Sequence, residues 1–353
     1  MTRASNALHT AIRPGQVWRD TNGNRIQAHG GSILHHDGTF YWYGENKERS
    51  TPGSGVWHWG IRCYSSTDLY NWTDEGLIIP PDEDDPTSPL HPAQMVDRPH
   101  IIHDARSGRY VCWLKVMGAD GVQTATILVA DRLLGPYEIV RTGLRPLGMS
   151  AGDFDLAVAP DDGKAYTYFE RVHSELICAD LTDDYTGVTG YYSTHFPRRQ
   201  PPEVREAPSY FSRHGLHYLI TSGTTAYFPN QSEAAVAQTY HGPWTVLGDP
   251  HPADPTGMSF RSQVSSVFRH PGKKDLYIAL ADRWLPDVPA EVAQQAPGHF
   301  RRLFSGEATG LRTPLDAVVV DTSRADYVWL PLRFQGDMPI LDWRDEWRIE
   351  DFQ

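Results

Sequence analysis

The sequence runs to 353 residues, with 44 Asp and Glu against 32 Lys and Arg and a formal net charge of −12. That balance argues against nucleic acid or an anionic membrane as the main partner, and no apolar run reaches the roughly eighteen residues of a membrane-crossing helix. Hydrophobic residues at 40% and charged residues at 22% suit a globular fold, while 30 Gly and 27 Pro spread along the chain point to many turns and short strands.

The first residues, MTRASNALHTAIRPGQ, hold no apolar stretch of signal-peptide length. The chain is therefore expected to be cytoplasmic or to have lost a leader. From there one phrase repeats: an apolar run, a turn with Asp or Gly, and a strand rich in aromatics. It appears as DGTFYWYGEN (37–46), SGRYVCWLKV (107–116), DGKAYTYFER (162–171), HGLHYLITSG (214–223) and, more loosely, GKKDLYIALADRW (272–284). A weaker strand–turn–strand echo follows most copies, at 63–76, 128–140, 176–188 and 235–247. Each copy is a four-stranded meander that cannot bury both faces alone, and such units pack radially. The expectation is an all-β fold, a five-bladed β-propeller, in one domain over 1–353. The blades fall roughly at 25–95, 96–150, 151–200, 201–255 and 256–335, with 326–334 as the closing strand. Two separate β-sandwiches would need a linker, and 197–206 is only a short Pro-rich loop. Cys63, Cys112 and Cys178, odd in number and far apart, fit neither a disulfide framework nor a zinc knuckle and are expected as buried free thiols.

Innermost strands of a propeller run beside one axis, so equivalent positions converge. Reading back from each turn gives His29-Gly30, Asp97, Asp153, Glu206 and Gln263. Any one of these could cap a strand or face water. Several at equivalent positions predict a polar ring in which clustered carboxylates push their proton affinities apart, leaving one protonated as general acid catalysis requires. Tyr43, Trp57, Trp59, Tyr227 and Trp284 are candidates for an apolar face of a binding pocket, with ordinary blade packing as the alternative. Trp57 and Trp59 are expected to be the more exposed. Insertions at 48–60, 81–96 and 224–232 are candidates to wall the pocket. No H-E-x-x-H or comparable spacing occurs, so neither a catalytic metal nor another cofactor is expected; a structural calcium ion on the axis stays compatible with the sequence.

At GDFDLAVAPDDGKAY (152–166) and REAPSYFSRHGLHYLI (205–220) the chain resembles five-bladed propellers of glycoside hydrolase family 43. Within that family the likeness is greatest to the exo-β-1,3-galactanase group, through QAHGGSILHHDGTFYWYGENK (27–47), DRPHIIHD (97–104), EAPSYF (206–211), RSQ (261–263) and ADRW (281–284). The resemblance implies that Glu206 is the general acid and that Asp153 orients it and tunes its pKa. Most of the family places an Asp base where Gly30 stands here; the galactanase group lacks it too and has a Gln at the position of Gln263, proposed to handle the attacking water. Asp97 matches a Glu in that group, one methylene longer, and is the alternative base. Glu45 and Arg98 match sugar-contacting positions, and Arg283 in ADRW joins the binding candidates. The implied activity is inverting exo-hydrolysis that releases terminal galactose from β-1,3-galactan or galacto-oligosaccharides. The alternatives are a family 43 α-L-arabinofuranosidase, β-xylosidase or galactofuranosidase, or a non-catalytic carbohydrate-binding propeller. The expected partner is an oligo- or polysaccharide, with neither nucleic acid nor membrane. Only about nineteen residues follow Phe334 in the sequence, so no appended carbohydrate-binding module is expected.

Overall fold

The structure, a computed structural model, describes residues 8–307 and 313–353. Residues 1–7 of the stretch read for a leader lie outside the described residues. Blade one holds β1 (His29–His36), β2 (Thr39–Glu45), β3 (Ile61–Ser66) and β4 (Thr73–Ile79). Blade two holds β5 (Met95–Asp104), β6 (Arg109–Met117), β7 (Gln123–Ala130) and β8 (Glu138–Leu144). Blade three has β9 (Ala151–Val158), β10 (Ala165–Arg171), β11 (Glu175–Leu181) and β12 (Val188–His195); blade four has β13 (Arg205–Arg213), β14 (Leu216–Gly223), β15 (Glu233–Ala237) and β16 (Thr245–Gly248). Blade five comprises β17 (Gln263–Arg269), β18 (Tyr277–Arg283), β19 (Asp326–Gln335) and β20 (Met338–Leu341). Every sheet is four-stranded with neighbours in chain order.

The repeated phrase is the inner hairpin of each blade. Its tightest turns are two-residue loops with both residues at positive φ, Asp37-Gly38 (48°, 77°) and His214-Gly215 (52°, 79°), whose twist matches the strands they join. The innermost strands touch in sequence, β1 to β5, β5 to β9, β9 to β13 and β13 to β17, and β17 meets β1 to shut the ring. The segment expected to close the ring, 326–334, is β19, the third strand of blade five, and β20 completes that blade. No strand of blade five comes from the other end of the chain, so the seam between blades five and one is held by side-chain packing and by hydrogen bonds outside the sheets, among them the Gly15 N–H to the Tyr327 carbonyl at 2.7 Å. Trp42, Trp72 and Trp329 pack there with Tyr327 and Trp18, and the Ile12 strand segment bridges to Trp347. The three cysteines are buried and unpaired. None of the described helices is long and apolar enough to cross a membrane.

One large departure from the repeat lies between β18 and β19. This strap carries α1 (Ala290–Ala293) and α2 (Ala296–Ser305). It has an apolar cluster of its own, in which Leu285, Val288 and Ala293 pack with Trp284, Met258 and Ala325.

Candidate active site

The innermost strands break register where the predicted ring residues sit. Shifts fall between His29 and Ser32 on β1, Asp97 and His100 on β5, and Glu206 and Ser209 on β13. Another lies between Val264 and Ser266 on β17, and one on β10 lies opposite the start of β9. Such bulges bend a strand and re-aim side chains. Gly30, Arg98 and Ala207 adopt φ of 62°, 53° and 48° at these breaks, and Asp97 and Glu206, next to the last two, line the cleft.

The result is a cleft of about 910 Å³ at one mouth of the axis. Of the residues singled out in the sequence, it brings together Glu45, Trp57, Asp97, Arg98, Asp153, Glu206, Tyr227, Gln263 and Trp284. Tyr43, Trp59 and Arg283 stand elsewhere. Tyr43 is buried between blades one and two, its hydroxyl accepting the Ile101 N–H at 2.9 Å. Trp59 lies under the Arg49 guanidinium at 3.6 Å, and Arg283 donates to the Phe260 carbonyl at 3.0 Å. Trp57 and Trp59 are both half-buried. Loops 48–60 and 224–232 supply Trp57 and Tyr227, whereas 81–96 contributes from behind, the Pro92 carbonyl accepting the Trp57 N–H at 2.7 Å.

Charge is densest around Asp153. Lys115 Nζ lies 2.7 Å from its Oδ1 and Arg98 Nη2 lies 3.1 Å from its Oδ2. Burial alone would raise the Asp153 pKa, but these two cations outweigh it and hold the group well below the usual carboxylate range. Lys115 also pairs with Asp97 at 3.1 Å, and the Trp57 indole donates to Asp97 at 2.8 Å. Burial opposes the charged form of Asp97 too, yet Lys115 and Lys47 leave its pKa lowered.

Glu206 is different. It is partly accessible from the cleft and its pKa stands well above the ordinary value, first through desolvation and then through the negative charges of Asp153 and Glu170. The two carboxylates therefore hold opposite protonation states near neutral pH. Gln263 donates to Glu206 Oε1 at 3.2 Å and to Ser222 Oγ at 2.8 Å, and its carbonyl oxygen accepts from Trp284 Nε1 at 3.3 Å and from Arg98.

Gly30 explains itself by what fills its space. A Cβ there would lie 2.4 Å from Glu45 Oε1. Glu45 in turn accepts the Arg98 backbone N–H at 2.9 Å and pairs with Lys47 at 2.8 Å; burial pushes its pKa to about 7 in spite of Lys47.

Sequence reasoning missed Lys47, Lys115, Glu170 and His173, together with Phe300 and Phe304 of α2. Lys115 carried a readable signal, a lone cation inside the apolar strand RYVCWLKVM. Among the described residues no group of three or more His, Cys, Asp or Glu side chains is placed to hold a metal ion.

A five-bladed ring with one protonated and one ionised carboxylate in a cleft at its axis has the parts of an acid-catalysed hydrolase. The chain belongs to glycosyl hydrolases family 43, whose sequence profile matches residues 16–284; it is a glycoside hydrolase. No curated protein sequence matches it. Among solved structures, it is similar to a family 43 β-1,3-galactosidase with 26% identity and a TM-score of 0.79, over 98% of this chain and 64% of that one. A second family 43 β-1,3-galactosidase, with galactodeoxynojirimycin, is 29% identical with a TM-score of 0.77, over 96% of this chain and all of the other. An exo-β-1,3-galactanase from Clostridium thermocellum is 26% identical with a TM-score of 0.73, over 95% of this chain and 66% of that one. The chain thus spans about two thirds of the first and third of these.

Proposed function

We propose that the protein is an inverting, exo-acting glycoside hydrolase that releases terminal galactose from β-1,3-linked galactan or galacto-oligosaccharides, with the five blades working as one catalytic unit. The observation that carries the reading is the pairing of Glu206, raised in pKa, with Asp153, held ionised by Arg98 and Lys115. The galactose assignment draws on the likeness to β-1,3-galactosidases and on the replacement of a blade-one carboxylate by Gly30 with Glu45 in its space.

In this reading Glu206 protonates the departing glycosidic oxygen. Asp153 keeps Glu206 protonated through its charge and fixes Arg98 over the cleft. Glu45 and Arg98 meet the sugar hydroxyls, and Trp57, Tyr227 and Trp284 offer it apolar surface. Inversion needs acid and water-activating groups on opposite faces of the anomeric carbon, about 6.5–9.5 Å apart when both are carboxyls. Gln263 donates to Glu206 at 3.2 Å, and acid and water on opposite faces of the sugar require the two side chains to part. Gln263 then orients the water, and Asp97 takes part as a base weakened by its two lysines.

The test is a proton-NMR time course of β-1,3-galactobiose with wild type and Glu206→Gln. Wild type is expected to release α-galactose first, and the variant to lose about three orders of magnitude in rate. First release of the β-anomer would overturn inversion. Cleavage of an arabinoside, xyloside or galactofuranoside but not of galactobiose would overturn the sugar assignment, and no cleavage of any would leave a binding propeller.

A further inference from the structure

The cleft has two unlike walls. Part of the lining is charged and indole-bearing, with Asp97, Gln263, Trp57 and Trp284; the rest is apolar, with Met117 of β6 and Phe300 and Phe304 of α2. Phe300 and Phe304 are four residues apart and so share one face of the helix. His173 meets Phe304 edge to face, centroids 4.9 Å apart at 78°. Phe304 is nevertheless 39% exposed, an aromatic ring lining the cleft with only part of its surface against His173.

α2 is fixed in place. Arg301 Nε donates to Glu203 at 2.8 Å and Gln200 donates to the Arg301 carbonyl at 3.3 Å, both on the segment leading into β13. The wall therefore hangs from the strand that carries Glu206, three residues after Glu203. His173 Nδ1 is 3.3 Å from Glu170 Oε1, and Glu170 is near enough to Glu206 to act on its charge. Glu206, His173 and Phe304 line the cleft, with buried Glu170 behind them joining His173 to the acid. A general acid lies against the oxygen that departs, so the group bonded to that oxygen must extend over this side.

We propose that Phe300, Phe304 and Met117 form the platform on which the leaving group sits, and that it takes a ring with an apolar face: the C–H face of a pyranose or the π face of an aryl aglycone. This rests on Glu206 being the acid. The strap between β18 and β19 then sets selectivity for what departs, while the axis sets selectivity for the sugar that is released.

The experiment compares kcat/KM for three glycosides of one sugar with methyl, phenyl and galactosyl leaving groups, using wild type, Phe300→Ala and Phe304→Ala. The ratio of each ring leaving group to methyl is expected to fall about tenfold in the variants; the larger fall, phenyl or galactosyl, names the ring the platform prefers. Equal losses on all three substrates would overturn the proposal. Phe304→Leu keeps an apolar side chain without a ring face, so its ratio should fall while circular dichroism and Tm stay at wild-type values; a preserved ratio in that variant would also count against a stacking platform. If galactosides are not cleaved, the sugar assignment has failed, and the same three leaving groups on the glycoside that is cleaved still read the platform.

Discussion

Asp153 sits where two effects on Glu206 can be separated. Its own charge raises the Glu206 pKa, and it occupies Arg98 and Lys115, which would otherwise lower it. An acid with a raised pKa keeps its proton through neutral pH, and activity falls as pH rises through that pKa. Asp153→Asn removes the negative charge and frees both cations, and both changes lower the Glu206 pKa. The alkaline limb of the kcat/KM profile should move to lower pH by about one unit or more. A lowered rate with an unmoved limb would make Asp153 a positioning residue only. The polar ring was legible because five copies of one phrase placed Asp97, Asp153, Glu206 and Gln263 at equivalent points. The place of the lysines was not: Lys115 stands out as a cation within an apolar strand, but Lys47 and Lys115 lie on or after second strands, and nothing in a one-dimensional pattern says which face of a doubly buried strand meets the axis.

At the scale of elements, the bulges explain a local oddity, the small residue and proline that follow Glu206. Ala207 has a φ of 48°, a region that L-residues enter at a cost of roughly 1–2 kcal/mol and β-branched ones far less readily. Ala207→Val should lower stability by about 1–3 kcal/mol, whereas Ala207→Gly should stay within about 1 kcal/mol of wild type because relief of strain offsets unfolded-state entropy. Urea denaturation of the two variants checks this, and equal stabilities would show that the bulge does not constrain residue 207. The hairpins themselves were readable from Asp-Gly and His-Gly turns flanked by aromatics. The strap was not, because a template of repeating hairpins passes over an insertion inside blade five, although the four-residue spacing of Phe300 and Phe304 was there to be seen.

At the scale of the whole molecule, the ring is shut at the seam of blades five and one by aromatic packing together with hydrogen bonds and ion pairs such as His29–Asp282 and Arg25–Asp326. Trp329 is fully buried there, with ring centroids 4.6 Å from Trp42 and 4.9 Å from Trp18, and its carbonyl accepts the Trp347 indole N–H at 2.9 Å. Trp329→Ala should cost about 3–5 kcal/mol, read as a lower denaturant midpoint; a loss under about 1 kcal/mol would mean that the seam does not carry the closure. Aromatic content announced a large core, but which tryptophans met at one seam depended on the first and last blades being neighbours, which only the closed ring supplies. The same closure bears on catalysis in another way. Asp97, Asp153, Glu206 and Gln263 come from blades two to five, and Glu45 from blade one. No fragment shorter than the full circle can assemble them, so in the proposed mechanism turnover doubles as a gauge of circularity: a molecule whose ring has sprung at any joint is expected to be silent, however much of its sheet structure survives.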